Sequence, residues 1–82
     1  MTMSLLANAI GLVGSALCIG AFIYSNIAGS IDLRLFNALN LAGGLLLVGS
    51  LSVHFNLAAM VLEVTWSLIA GFGLIRALWR PA

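Results

Sequence analysis

LNLAGGLLL, residues 39–47, places two adjacent glycines in the middle of an apolar run. In a water-soluble helix each glycine costs about 1 kcal/mol relative to alanine. In a membrane helix, small side chains instead let two backbones approach closely. We therefore interpret Gly43 and Gly44 as packing positions in a helix that crosses a membrane.

The composition of the whole chain agrees with a membrane protein. It has 82 residues, of which 63% are hydrophobic and 6% are charged. A soluble domain carries about 25% charged residues, which cover its surface. The charged side chains in this sequence are Asp32, Arg34, Glu63, Arg76 and Arg80. They are too few to keep a domain of this size soluble.

Three segments are long enough to cross the hydrocarbon core, which takes about 20 helical residues. They are residues 4–24, 35–53 and 57–79, separated by the polar turns SNIAGSIDLR (25–34) and SVHFN (52–56). Short connections make neighbouring helices antiparallel. The sequence predicts an all-α protein, a bundle of three transmembrane helices that forms a single domain over the whole chain, 1–82.

The positive charges predict the orientation of these spans. Arg34 lies in the first turn, and Arg76 and Arg80 lie near the end of the third span, so all three fall on one side. The other side, with the N-terminus and the second turn, has no Arg or Lys. Because cytoplasmic loops carry the excess of Lys and Arg, we expect the N-terminus outside and the C-terminus in the cytoplasm. The first span also lacks the basic region of a signal peptide, so we expect it to be retained.

Each predicted span has a face of small residues. Ala7, Gly11 and Ser15 are spaced by four residues, and Gly14 and Cys18 make a parallel row. The third span carries a similar stripe of Ala59, Glu63, Ser67 and Gly71. We expect helix packing along these faces. The predicted packing residues are Gly11, Gly14, Ser15, Gly43, Gly44, Ser67 and Gly71.

Glu63 is the one acid within a predicted span, about 9 Å below the outer end at 1.5 Å per residue. A carboxylate at this depth is expected to face protein or water, not lipid. Asn8, Ser50 and Ser52 lie at similar depth on the other spans, so a polar layer with Glu63 is predicted. Glu63 could bond a neighbouring helix, carry a proton or contact a substrate, or contact a partner protein.

Two asparagines and a tryptophan complete the polar positions at depth. Asn37 and Asn40 lie one turn apart near the start of the second span. They could form hydrogen bonds between helices or line a path for a substrate. We interpret Trp66, one turn beyond Glu63, as a packing residue and not a stacking platform.

The sequence lacks the patterns that carry catalysis or cofactor binding. It contains no nucleophile with a base and an orienting group, no metal-ligand spacing of His and Cys, and no glycine-rich phosphate loop. We therefore expect a protein that is not an enzyme and has no cofactor or metal. A net charge of +1 does not suggest a nucleic-acid partner.

Two motifs give the chain a family resemblance. LNLAGGLLL at 39–47 and VLEVTWSLIAGFGLIR at 61–76 resemble the motifs of small, uncharacterised bacterial inner-membrane proteins with three helices. The resemblance implies a multi-pass protein of the bacterial inner membrane, with Asn40, Gly43, Glu63 and Trp66 as its marked positions. The architecture also looks like that of bacterial half-transporters for sugars, which have a Pro-Gln hinge. The single proline here is Pro81, so that hinge is missing.

Two functions follow from this sequence. The first is a small non-enzymatic membrane protein that packs as a homo-oligomer or as an accessory subunit of a membrane complex, with the small-residue faces forming the contacts. The second is a dimeric half-transporter for a small solute, proton-linked through Glu63, with Asn37 and Asn40 lining the path. Neither identifies a substrate.

Overall fold

The computed structural model describes residues 2–80, and these fold into three helices. They are α1 (Met3–Ile27), α2 (Leu33–Leu51) and α3 (Leu57–Trp79). Each is long and apolar enough to cross a membrane. Within residues 2–80 there is no β-strand. The predicted all-α architecture of three long apolar helices is confirmed.

Polar side chains set where each helix begins. The side chains of Thr2, Asp32 and Asn56 accept hydrogen bonds from backbone N–H groups in the first turns of α1, α2 and α3. Such caps satisfy donors that have no partner inside the helix. The Asp32 carboxylate accepts from the N–H of Arg34 at 3.0 Å and that of Leu35 at 3.3 Å. Helix α2 therefore starts two residues before the predicted span at 35–53.

Local hydrogen bonds also set the other ends. The side chains of Ser25 and Asn26 donate to the carbonyl oxygen of Phe22, at 2.7 and 2.8 Å. These polar groups are satisfied within the helix, so α1 continues beyond Tyr24 instead of turning there. At the end of α2, the Ser52 hydroxyl donates to the Gly49 carbonyl at 2.6 Å.

Helix α2 lies between the other two. It contacts both α1 and α3, whereas no Cα atom of α1 lies within 8 Å of one in α3. The result is an elongated molecule of 44 × 22 × 21 Å with one shared central helix. The packing of α2 therefore determines the position of both neighbours.

Helix α1 meets α2 where two glycines face each other. A β-carbon at Gly14 would lie 2.7 Å from the carbonyl oxygen of Gly43, and one at Gly43 would lie 2.7 Å from that of Gly14. Real β-carbons essentially never come under 3.0 Å. The two backbones touch at this point, which only glycine at both positions permits.

The α1 surface that faces α2 consists of small residues spaced alternately by four and three. Ala7, Gly14 and Ala21 are buried. Between them, Gly11 lies against Ser50, and the Cys18 sulfur lies against Gly43. This alternation is the repeat of left-handed helix packing, in which one side of a helix faces its partner over many turns. The seam thus combines members of both rows of small residues noted in the sequence.

Helix α3 packs against Gly44, the residue of α2 that follows Gly43. Gly44 lies directly against the side chain of Ser67, and Gly73 lies against Asn37. Ala70 and Ala77 are buried on the same side of α3. Gly71 is less tightly packed, because a β-carbon there would lie at an ordinary contact distance, 3.8 Å from Cδ1 of Leu41.

Adjacent glycines therefore serve different neighbours, Gly43 for α1 and Gly44 for α3. These small-residue contacts lie within one chain. Gly14, Gly43, Gly44 and Ser67 contact the chain's own helices. That small-residue faces also join separate copies stays a prediction.

Two glycines of α2 make a matched test of this packing. Gly43→Ala forces a methyl group against the α1 backbone, so we expect it to lower the free energy of unfolding by about 1–3 kcal/mol. Gly49→Ala, where no atom lies within 4 Å, should be neutral or stabilising. Detergent-solubilised protein titrated with dodecyl sulfate and followed by circular dichroism would measure both. Equal effects of the two substitutions would contradict the backbone contact.

Candidate functional site

An open groove runs between α1 and α3 along one side of α2. We call it the α1–α3 groove. Its central part is lined by Cys18, Ile19, Phe22, Phe36, Asn40 and Trp66. Towards α3 it continues past Asn37, Ile69 and Ala70. The groove exists because α1 and α3 do not contact each other, so α2 forms its floor and its neighbours form the walls.

A hydrogen bond between α2 and α3 lies in this groove. The Trp66 indole Nε1–H donates to Oδ1 of Asn40 at 3.0 Å. The Asn40 Nδ2 donates to the Phe36 carbonyl at 2.9 Å. Both the oxygen and the nitrogen of the Asn40 amide therefore have a hydrogen-bond partner. Asn40 is only 5% exposed, so its site excludes most solvent. Of the two alternatives for Asn40, the structure shows the hydrogen bond between helices.

Trp66 has two roles in this contact. Its indole forms a wall of the α1–α3 groove, and its N–H holds α2 to α3. The side chain is still 44% exposed, so part of the indole ring remains accessible from the groove. Trp66 therefore forms a hydrogen bond between helices in addition to the predicted packing.

Asn37 behaves differently from Asn40, one turn away. Its Nδ2 donates to the carbonyl of Leu33 in its own helix at 2.8 Å. Its side chain packs closely against Gly73 of α3. Asn37 therefore fills space between α2 and α3, whereas Asn40 forms a hydrogen bond across that interface.

Glu63 lies one turn before Trp66 on α3 and is partly buried. Within residues 2–80, no donor forms a hydrogen bond with its side chain, and no Arg or His lies in range for an ion pair. Glu63 is thus an acid without a partner in the described part of the chain, one turn from Trp66, and it does not line the α1–α3 groove.

The predicted polar layer forms only in part. Asn8 and Ser50 line a second groove, between α1 and α2, together with Gly11 and Ser15. Ser52 bonds its own helix instead, and Glu63 does not line that groove. Asn8 and Glu63 also belong to helices that have no Cα atoms within 8 Å of each other.

Several groove residues were not singled out in the sequence. Ile19, Phe22 and Phe36 are ordinary apolar residues with no chemical signature. For Cys18, the sequence predicts only a role in helix packing. The four-and-three spacing of small residues from Ala7 to Ala21 was the available signal. It identifies which side of α1 faces α2, and hence which residues flank that contact.

Comparison with known proteins identifies a family without a known function. A family model matches residues 7–81, and the chain belongs to that uncharacterised family. No curated protein matches the chain. No solved structure matches it either.

The Asn40–Trp66 hydrogen bond can be measured with a double-mutant cycle. Trp66→Phe removes the donor and Asn40→Ala removes the acceptor, and we expect a coupling of about 0.6–1.7 kcal/mol in the free energy of unfolding. The matched cycle of Trp66→Phe with Asn37→Ala should be additive, because Asn37 bonds its own helix. Additivity in the first cycle would show that the bond does not stabilise the folded protein.

Proposed function

We propose that this chain is a small, non-enzymatic integral membrane protein that acts by assembly, as a homo-oligomer or as an accessory subunit of a membrane complex. Its three arginines at one end favour a cytoplasmic C-terminus and an N-terminus outside. The inner membrane of a bacterium is the proposed location. No substrate is part of this proposal.

The open α1–α3 groove is the observation that carries the proposal. Two helices on either side of a central one leave the Asn40–Trp66 pair, with Glu63 one turn away, beside a surface that no described helix of the same chain covers. Polar groups in membrane helices normally face protein or water. A helix from another subunit would cover these groups.

The walls of the groove provide the contact surface. Phe22 on α1 is 69% exposed and Ile69 on α3 is 66% exposed. Large exposed side chains beside a concave floor can interlock with another helix. The small-residue seams are occupied within the chain, and of the open grooves we assign the partner to the one that holds the Asn40–Trp66 pair.

Neighbouring positions on α1 test where the partner binds. A photo-crosslinking benzoylphenylalanine at Phe22, in the groove wall, should join the chain to a second polypeptide in intact membranes. The matched position Ile23 is 52% exposed but does not line the groove, so it should yield mainly lipid adducts. Electrophoresis and mass spectrometry identify the products. A product of twice the chain mass indicates a homo-oligomer, and a different mass indicates a larger complex.

Equal crosslinking at positions 22 and 23, or lipid adducts only at position 22, would contradict assembly through the groove.

A second candidate is the dimeric half-transporter. It is favoured by the unpartnered carboxylate of Glu63, one turn from Trp66, which lines the α1–α3 groove with Asn37 and Asn40. In that function Glu63 would bind a proton or a solute, and two chains would enclose a path between their grooves. The absence of a proline from residues 2–80 means that any rocking motion would need another hinge.

Glu63→Gln separates the two candidates, because it removes the charge and keeps the shape. Under the assembly proposal, the wild type and the variant should form the same complex by native mass spectrometry. Both should also leave vesicles equally tight to protons, measured with an enclosed pH-sensitive dye while sugars and amino acids are supplied outside. A proton influx that the wild type supports and Glu63→Gln abolishes, with assembly intact, would favour transport.

A further inference from the structure

All three arginines of the chain lie at one end of the molecule. Arg34 is in the first turn of α2, and Arg76 and Arg80 are at the end of α3, which runs back to the same end. The acid at this end is Asp32, and its carboxylate caps α2 by accepting from two backbone N–H groups. The three positive charges therefore have no carboxylate bound to them in the described part of the chain.

Arg34 is held in place by the end of α3. Its Nε donates to the carbonyl of Ala77 at 3.3 Å, and its Nη2 donates to that of Arg80 at 3.4 Å. The last carbonyls of a helix lack partners within it and attract positive charge. Arg34 thus satisfies the end of α3 and adds a fixed positive charge next to Arg80.

Arg76, in the last turn of α3, and Arg80, the residue that caps its C-terminus, lie four positions apart at the same end of the helix. The Arg76 guanidinium carbon lies 6.0 Å from the centre of the Phe72 ring, which places it towards the middle of the helix. Trp79 beside them is 83% exposed. Exposed tryptophans and arginines near the ends of membrane helices lie at the level of the lipid headgroups.

An apolar groove includes Phe72, the residue whose ring the Arg76 guanidinium approaches. It is lined by Leu41, Leu45, Val48, Leu68, Phe72 and Ile75, with further residues of α3, and follows the outer side of the α2–α3 contact. Phe72 belongs both to this groove and to the contact with Arg76. The Arg76 guanidinium therefore lies next to one residue of this apolar groove, which is open along its side.

We propose that this end of the molecule binds an anionic phospholipid, with its headgroup phosphate on Arg76 and Arg80 and an acyl chain along the α2–α3 groove. Planar guanidinium groups bind phosphate oxygens in pairs, and no carboxylate within residues 2–80 competes for them. The apolar groove distinguishes a lipid from free phosphate, which has no chain to place there. The inference does not depend on the proposed assembly, since the groove that takes the acyl chain shares no lining residue with the α1–α3 groove.

Lipid retention in native mass spectrometry tests this site. Protein released from vesicles of equal parts phosphatidylglycerol and phosphatidylcholine should keep phosphatidylglycerol preferentially. Arg76→Gln should lower that preference roughly fivefold, and Arg76→Gln with Arg80→Gln a further fivefold, at about 1 kcal/mol for each basic residue. Both variants leave the main-chain bonds of Arg34 in place, so the α2–α3 contact is retained.

His54→Gln, which changes the opposite end of the molecule, is the matched control and should keep the wild-type preference. Circular dichroism of each variant confirms that the helices are intact, and Arg76→Gln alone suffices if the double variant is unfolded. Equal retention of the two lipids by the wild type would overturn the proposal. So would an undiminished preference in folded Arg76→Gln, or displacement of the lipid by millimolar inorganic phosphate.

Discussion

The contact of the Gly14 and Gly43 backbones is the constraint on which the rest of the structure depends. It brings α1 and α2 closer than any side chain at either position would allow. Successive residues of an α-helix point about 100° apart, so Gly44 faces a different direction and receives Ser67 of α3. Rotating α2 about its axis would move both glycines out of both contacts together. A pair of adjacent glycines therefore fixes the rotation of the central helix and the positions of its two neighbours.

The interior that results differs from the core of a soluble protein. Its buried members are Ala, Gly, Ser and Asn, and no large side chain within residues 2–80 is fully buried. Many Leu, Ile and Phe side chains are exposed instead, where the acyl chains of a bilayer would solvate them. Cohesion must come from close contact between backbones and from polar bonds such as that of Trp66 to Asn40. The residues that make the structure specific are thus the small and polar ones, and the bulk of the apolar residues provide membrane solubility.

The sequence was sufficient for the helices but not for their arrangement. Runs of apolar residues and the polar turns between them determine three helices, because the bilayer requires backbone hydrogen bonds to be made within each segment. The ends shifted by two or three residues where a side chain such as Asp32 or Asn26 satisfied local backbone groups. Which helices are neighbours is a tertiary property, and composition does not determine it. Matching by depth therefore grouped Asn8 with Glu63 across helices that do not touch.

The residues of the candidate site likewise divide into those that the sequence identifies and those that only the structure reveals. Asn40, Trp66 and Glu63 could be selected from the sequence, because a polar group in an apolar helix has a recognisable energetic cost. Their relation to each other required coordinates, since Asn40 bonds Trp66 across an interface while Asn37, one turn away, bonds its own helix. The apolar residues that form the walls of the α1–α3 groove have no comparable signal in the sequence. Phe22 matters through its place beside a gap, which exists only after α2 has separated α1 from α3.

The bonds of Arg34 have a consequence for the order in which the chain is assembled during synthesis. The α1–α2 interface needs no part of α3, so it is complete once α2 has been made. Arg34 must then wait for the carbonyls of Ala77 and Arg80, which lie 43 and 46 positions later in the chain. In a membrane, Arg34 would be a hydrated cation at the surface until the last turn of α3 emerges. The same side chain would then close the finished structure.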